Sequence, residues 1–438
     1  MSSDWKRVPL GSLVEVKHGF AFKSQFFSDS PTQYQLVTPG NFAIGGGFQA
    51  GNGKYYSGPV PPEYVLQQGQ VIVTMTDLSK AADTLGYAAV VPATDKTVWL
   101  HNQRVGLLIF KDEELLVPQF LHYLMRSPEY RHHVVAGATG STVKHTSPSR
   151  ICDYEFRLPT GREQKDIADI LGSLDNRITL LRETNKTLEA IAQAIFKSWF
   201  VDFDPVKAKM DGRHPAGMDE ETAALFPDEL VESELGLIPR GWVIGKLGEL
   251  VNLRNERIKP TREVRALPYV PIDSIQSKSC TLQTFRSGDE ARSSLLRFYK
   301  NDILFGAMRP YFHKVCIAPF DGVTRSTVFT FHPQNPKALG FALMQLYREE
   351  TVAYATLHSE GTTIPYAKWT NSFERMPMVL PPLVTQSAFS EIVLPVIVSA
   401  NQNIKKLQTL ESLRDTLLPR LISGKLRVPI DETETSEV

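Results

Sequence analysis

Two stretches of the chain place apolar residues at alternating three- and four-residue steps for far longer than a short globular helix requires. In the first, Ile167, Ile170, Leu171, Leu174, Ile178, Leu181, Leu188, Ile191 and Ile195 fall on one stripe between Pro159 and Pro205. Such a stripe is the seam of an amphipathic helix that needs a partner helix. The spacing predicts a helix from Glu163 to about Val201, in which about 38 residues at ~1.5 Å each make a rod of roughly 57 Å. In the second stretch the clearest stripe is Ile404, Leu407, Leu410, Leu413 and Leu417, ending before Pro419. Pro395 lies upstream; proline lacks an amide and crowds the preceding turn, so a kink or a late start is expected there. Elsewhere the pattern changes to short β-branched runs, such as Val71–Val73 and Ile303–Phe305, separated by turn clusters such as Gly45–Gly47. These read as strands.

The whole order occurs twice. Trp5, Leu10-Gly11 and Leu13-Val14 are answered by Trp242, Leu247-Gly248 and Leu250-Val251, displaced by 237. Gly140, Thr142 and Val143 are answered by Gly361, Thr363 and Ile364, displaced by 221. A displacement of 222 then holds without a gap: Leu158-Pro159 matches Leu380-Pro381, Gln164 matches Gln386, Ile170 matches Ile392, and Thr187-Leu188-Glu189 matches Thr409-Leu410-Glu411. Two amphipathic helices share apolar positions by chance, but not these polar ones. The chain is therefore a duplication. The expected fold is α+β: two tandem mixed α/β domains separated by a pair of long antiparallel helices, with an internal pseudo-twofold repeat. The segments are 1–160, a helix at 161–201, an acidic linker or wrapped extension at 202–240, 241–382, a second helix at 383–425 and an acidic tail at 426–438. The expected helix–helix interface uses Ile170, Leu174, Ile178, Leu181, Leu188, Ile191 and Ile195 against Ile404, Leu407, Leu410, Leu413 and Leu417. The alternative, each helix folded back on its own domain, stays open at this level.

Composition changes the picture in two ways. The net charge is zero, yet residues 202–236 hold ten acids against three bases and residues 431–438 hold four acids and no base. The second domain, 241–382, has eighteen Lys and Arg against twelve Asp and Glu. Segregation of this kind leaves basic surface for phosphate binding, although a solvated surface beside an acidic linker has the same composition. Cys152, Cys280 and Cys316 stand far apart and form no CxxC pair, which argues against a disulfide framework or a cysteine-rich zinc site and for a reducing cytoplasm. The first residues lack a secretory signal, and no run of eighteen apolar residues occurs, so no membrane is expected. Sequence motifs for a P-loop, GxGxxG, HExxH or GxSxG are missing, as is the Asn/Asp-Pro-Pro-Tyr/Phe segment of amino-methyltransferases. His132-His133 has no nearby carboxylate pair or cysteine, so no metal site is expected there.

The junctions carry a resemblance. The run from Ala192 through Trp199, Phe200, Asp202 and Asp204-Pro205 resembles the end of the first spacer helix in type I restriction-modification specificity subunits. Leu235-Gly236 through Pro239 to Gly241-Trp242 resembles the entry to their second recognition domain, and Leu413 through Leu417-Leu418-Pro419 to Gly424-Lys425 their terminal helix. His18-Gly19 to Ser24, Val73 to Ser79, Leu100 to Gly106 and Asp302 to Tyr311 are similar to recurring elements of the recognition domains. The resemblance spans essentially the whole chain. It implies target recognition domains at 1–160 and 241–382, each reading half of an asymmetric two-part double-stranded DNA site, with the helices as a ruler between them. It also implies two modification subunits carrying S-adenosylmethionine and adenine methylation, and restriction subunits using ATP and Mg. This chain would then bind no cofactor or metal and hold no catalytic residue. A coiled-coil scaffold that never touches DNA and a stand-alone DNA enzyme are the rival readings.

Recognition of DNA needs cations for phosphates and forked donors or amides for base edges. In the first half the candidates are Lys23, Ser24, Asn102, Gln103, Arg104, Thr142 and Lys144, with Ser141 and His145 nearby. In the second they are Arg254, Asn255, Arg257, Lys259, Arg262, Arg309, Tyr311, Thr362 and Thr363. Capping or turn roles are the alternative for the threonines, and a solvated loop is the alternative for 254–265.

Overall fold

In the computed structural model, residues 5–428 are described apart from 50, 52, 80, 95, 293 and 294; most of the expected acidic tail lies outside them. The chain packs as two units: residues up to Arg177 together with those from Leu410 onward, and Ile178–Thr409. Packing thus divides the molecule inside the two long helices rather than at their ends.

Each unit is built on a four-stranded antiparallel sheet of the same order. In the first, Val14–His18 pairs with Val105–Phe110, which pairs with Val71–Thr74, which pairs with Ala88–Val90. In the second the order is Val251–Leu253, Val328–Pro333, Ile303–Gly306, Val315–Ile317. The central strands of both sheets are buried on both faces, so they read as continuous apolar runs rather than alternating ones. Val71 and Val73 enter the core beneath the helices, while Ile72 enters a second core with Leu107 and Trp99. Ile303 and Phe305 likewise face one core, and Leu304 faces another with Cys316 and Val328. A short ladder closes each unit's chain course, Lys6–Pro9 with Glu155–Leu158 and Val243–Lys246 with Pro377–Leu380. The pseudo-twofold repeat is therefore one of topology as well as sequence.

The long helices are Gly161–Phe200 and Leu383–Ile422. Within the second unit, Asn403 Nδ2 donates to Asn185 Oδ1 at 2.9 Å, and Phe196 and Trp199 meet Phe389 at ring distances of 5.6 and 5.7 Å. Numbers rise on one helix as they fall on the other, so the pair is antiparallel. Residues seven apart form the seam: Gln164, Leu171, Ile178, Asn185, Ala192 and Trp199 are all buried. The second helix buries Gln386, Val393, Ala400, Leu407 and Leu421 in the same rhythm, with Arg414 between the last two. Ile191 and Leu413 depart from the expected interface; they are 43% and 44% exposed and lie off the seam.

One further expectation needs correction, and one alternative is decided. The second helix neither starts late at Pro395 nor ends at Pro419; it runs unbroken through both. Pro395 sits on the exposed face between buried Val393 and Ile397. There, water can take the hydrogen bond that the missing amide leaves unmade. Segment 202–240 is the wrapped extension rather than a loose linker. It forms helices at Asp204–Met210 and Glu220–Ala224 and a hairpin of Leu230–Ser233 with Gly236–Pro239. Phe203, Val206 and Phe226 are buried with Trp199 and Trp242. Among the described residues one helix, Leu383–Ile422, is long and apolar enough to cross a membrane by length and composition. Its Phe389, Val393 and Ile397 are instead part of the second unit's core.

Candidate nucleic-acid interface

In the first unit, the turn Asn102–Arg104 joins strands Val98–His101 and Val105–Phe110. It is held from below: Gln103 N donates to Phe20 O at 3.0 Å, Phe20 N to His101 O at 2.8 Å, and Arg104 N to Asn102 Oδ1 at 3.1 Å. Gly19 is required here because a Cβ would overlap the Asn102 carbonyl. His101 is fully buried, and burial together with the charges of Lys17 and His18 lowers its pKa to about 4. The ring is neutral at pH 7, so its Nε2 donates to Val105 O at 2.8 Å and anchors the turn. Phe22, buried with Leu36, Tyr56 and Leu100, leads directly to exposed Lys23 and Ser24.

Met75 ties this turn to a second one. Its amide donates to Arg104 O at 3.0 Å, and its carbonyl accepts from Thr146 N at 3.0 Å. The next residues, Thr76–Asp77, pair with Lys144–His145, and Thr76 Oγ1 lies 3.1 Å from His145 Nδ1. Gly140 opens that hairpin at φ +91, where a side chain would meet Val143 O. Ser141 and Thr142 are exposed and Lys144 is half-buried. Asp77 caps the loop that follows, accepting from Ser79 N at 2.6 Å, Leu85 N at 3.0 Å and Thr84 Oγ1 at 2.8 Å. Burial alone would raise its pKa, but these donors hold it below the usual carboxylate range. The first-half candidates thus converge on one end of their unit.

The second unit repeats the arrangement with different side chains. Arg309 N donates to Pro365 O at 2.7 Å, Met308 bridges Tyr366, and Ala307 N donates to Thr327 O at 2.9 Å. The Tyr366 hydroxyl donates to Ser326 O. Gly361 opens the hairpin at φ +93, and Thr362 and Thr363 stand exposed beside it. Arg309, Tyr311, Thr362 and Thr363 are therefore brought together. Strand register adds to them: Ile258 lies opposite Leu295, which lies opposite Arg325, so exposed Arg257 shares a sheet with that exposed arginine, and exposed Lys259 follows directly after the strand. Sequence reading missed Arg325, whose only signal is its place at the end of a strand.

Profile and relatives agree with this architecture. A family described as Type I restriction modification DNA specificity domain matches residues 2–190. The chain is 27% identical to the type I restriction enzyme MjaIX specificity subunit of Methanocaldococcus jannaschii over 83% of this chain and 79% of that one. It is 24% identical to the HindI specificity subunit of Haemophilus influenzae over 73% of this chain and 80% of that one. The crystal structure of the type I S subunit from M. genitalium has the same fold, with a TM-score of 0.61 at 16% identity over 96% of both chains. Residues 2–190 thus match a type I DNA specificity domain, and the chain is similar to type I specificity subunits over most of its length.

Which cationic groups are available to a nucleic acid depends on which the fold leaves free. Arg254 is not among those free groups. Its Nε and Nη2 donate to the two oxygens of buried Asp302 at 2.8 and 3.1 Å, and its guanidinium lies 4.7 Å from the Tyr299 ring centre. Hydrogen bonding to Asp302 raises its pKa further. It holds its own domain together, and the expectation of a DNA contact there is withdrawn. Asn255 and Arg262 are exposed, but nothing draws them into the cluster around Arg309. Glu189 also serves packing: its Oε1 accepts from Ser279 Oγ at 2.8 Å, Thr281 Oγ1 at 3.1 Å and Cys280 N at 3.2 Å, and burial raises its pKa despite those donors.

Proposed function

We propose that the chain binds a two-part double-stranded DNA target, residues 1–160 reading one half and 241–382 the other. The paired helices set the gap between the halves. Two modification subunits holding S-adenosylmethionine and restriction subunits using ATP and Mg assemble on it in the cytoplasm, for adenine methylation or ATP-dependent cleavage. This chain supplies only recognition. Asn102, Gln103 and Arg104 in one half, and Arg309 with Thr362 and Thr363 in the other, offer the forked donors, amides and hydroxyls that base edges and phosphates require. Lys23, Ser24, Thr142 and Lys144 flank the first set, and Arg257 and Lys259 the second.

One observation carries this reading: the same presentation is built twice, a four-stranded sheet of one order delivering a strand end beside a glycine hairpin, with φ +91 at Gly140 and +93 at Gly361. The side chains mounted on the two copies differ, as an asymmetric target demands. The test is to exchange residues 1–160 for the first domain of another subunit and map methylated sites across the host genome. Only one half of the motif should change. A motif that stays whole, or changes in both halves, rejects the division of labour. Binding that ignores added salt points to a scaffold instead, because phosphate contacts release counterions.

A further inference from the structure

Tyr311 and Phe312 form a half-exposed apolar tip on the turn Pro310–Phe312. They are 50% and 46% exposed, with ring centres 4.8 Å apart. The base beneath them is anchored. Pro310 and His313 are buried, Arg309 N donates to Pro365 O at 2.7 Å, and His313 Nε2 lies 2.7 Å from Tyr347 O. Arg309 and His313 bracket the pair, both with φ of 51. Ile364, also 50% exposed, comes from the glycine hairpin alongside. Large rings held outward on a fixed base gain free energy only when something covers them.

The surroundings specify what covers them. Arg309 has a buried Nε without a hydrogen-bond partner, and neither it nor exposed Arg325 forms an ion pair among the described residues. The acids nearby are already matched, Glu349 with Lys278, Glu350 with Arg348 and Glu360 with Lys368. The rings therefore sit in net positive surroundings. The first unit has an apolar residue at the corresponding place: Leu78 follows the strand end that pairs with the Gly140 hairpin, and it is 61% exposed.

Resting on the two-part reading above, we propose that Tyr311 and Phe312 are a wedge that enters a base step of the second half-site and partly unstacks it, with Arg309 and Arg325 on the flanking phosphates. Leu78 does the same more weakly in the first half. Apolar wedges flanked by cations act in this way on duplex DNA, most readily at pyrimidine–purine steps. Two specificity elements follow for one loop: contact with the bases, and preference for a step that unstacks easily.

The test uses the complex with its modification subunits and a duplex carrying the target read from the methylated genome. 2-Aminopurine replaces single adenines in the second half-site, avoiding the methylated one. Wild type should raise the fluorescence at one step. Tyr311→Ala/Phe312→Ala should abolish that rise and weaken binding about tenfold, with the salt dependence unchanged because no charge is lost. Leu78→Ala should leave the second-half signal intact. The double variant should still fold, with a slightly lower melting temperature because about half of each ring is buried. Wild-type fluorescence that stays quenched at every position, or a double variant that keeps both signal and affinity, overturns the wedge. Wild type that prefers no duplex sequence overturns the two-part reading, and the wedge with it.

Discussion

Asp175 joins three parts of the first unit. One carboxylate oxygen accepts from Arg414 Nη1 at 3.0 Å, the other from Tyr123 Oη at 3.1 Å and from Arg126. Burial alone would raise its pKa, yet Arg126 and Arg414 hold it below the usual range. Arg414 also pairs with Asp415, so removing the Asp175 charge leaves the Arg126 guanidinium uncompensated at a largely buried site. Asp175→Asn should destabilise the first unit by about 3 kcal/mol in urea unfolding, whereas an exposed ion pair such as Arg7–Glu155 should contribute under 1 kcal/mol. Two buried histidines give the same unit a pH dependence. His101 is lowered to about 4 by burial, and His122 to about 3 by burial and the charge of Arg126. Their folded pKa values lie below 6.5, so between pH 6.5 and 4 the unfolded chain binds more protons. Stability is then full above 6.5 and falls on acidification, by up to ~1.4 kcal/mol per pH unit for each ring. Protection factors across 98–124, corrected for the intrinsic exchange rate, should fall over that window, and His101→Gln should about halve the slope. A flat profile would mean these rings charge freely.

At the scale of elements, the long helices hold a buried amide pair in their seam. Asn403 donates to Asn185, whose own amide donates to Ala400 O at 3.1 Å. A buried amide pair in a helical seam fixes register because any slip leaves it unpaired. Asn185→Leu should lower stability by about 2 kcal/mol by stranding Asn403. Adding Asn403→Leu should recover at least half of that, and a double-mutant cycle with no coupling would remove the register role. Much of this element was legible in sequence, since the heptad rhythm and the gapless repeat gave both helices. Gln164 and Gln386 show why the repeat is physical: each donates its amide to the carbonyl of the proline five residues earlier, Pro159 or Pro381, at 3.0 and 2.7 Å. Proline reading failed because exposure of Pro395, which sequence does not state, decides whether water can replace the missing bond.

At the scale of the whole chain, the proposal turns helix length into target geometry. Inserting one heptad into each long helix at matched positions keeps the seam in phase and adds about 10 Å of helix. The preferred gap between half-sites should lengthen by about three base pairs at 3.4 Å each; an unchanged gap would show that the helices are not a ruler. By itself the sequence determined the duplication, the long helices and their seams, and the strand runs, because periodicity and repeated spacing are local properties of a chain. Which cations stand free was decided only by the tertiary structure. Arg254 and Arg309 read alike as basic residues in polar loops, yet the sheet places Asp302 beside the first and the glycine hairpin beside the second. It likewise turned the 202–240 segment inward on Phe203 and Phe226. Side-chain pairing depends on neighbours distant in sequence, and only folding chooses them.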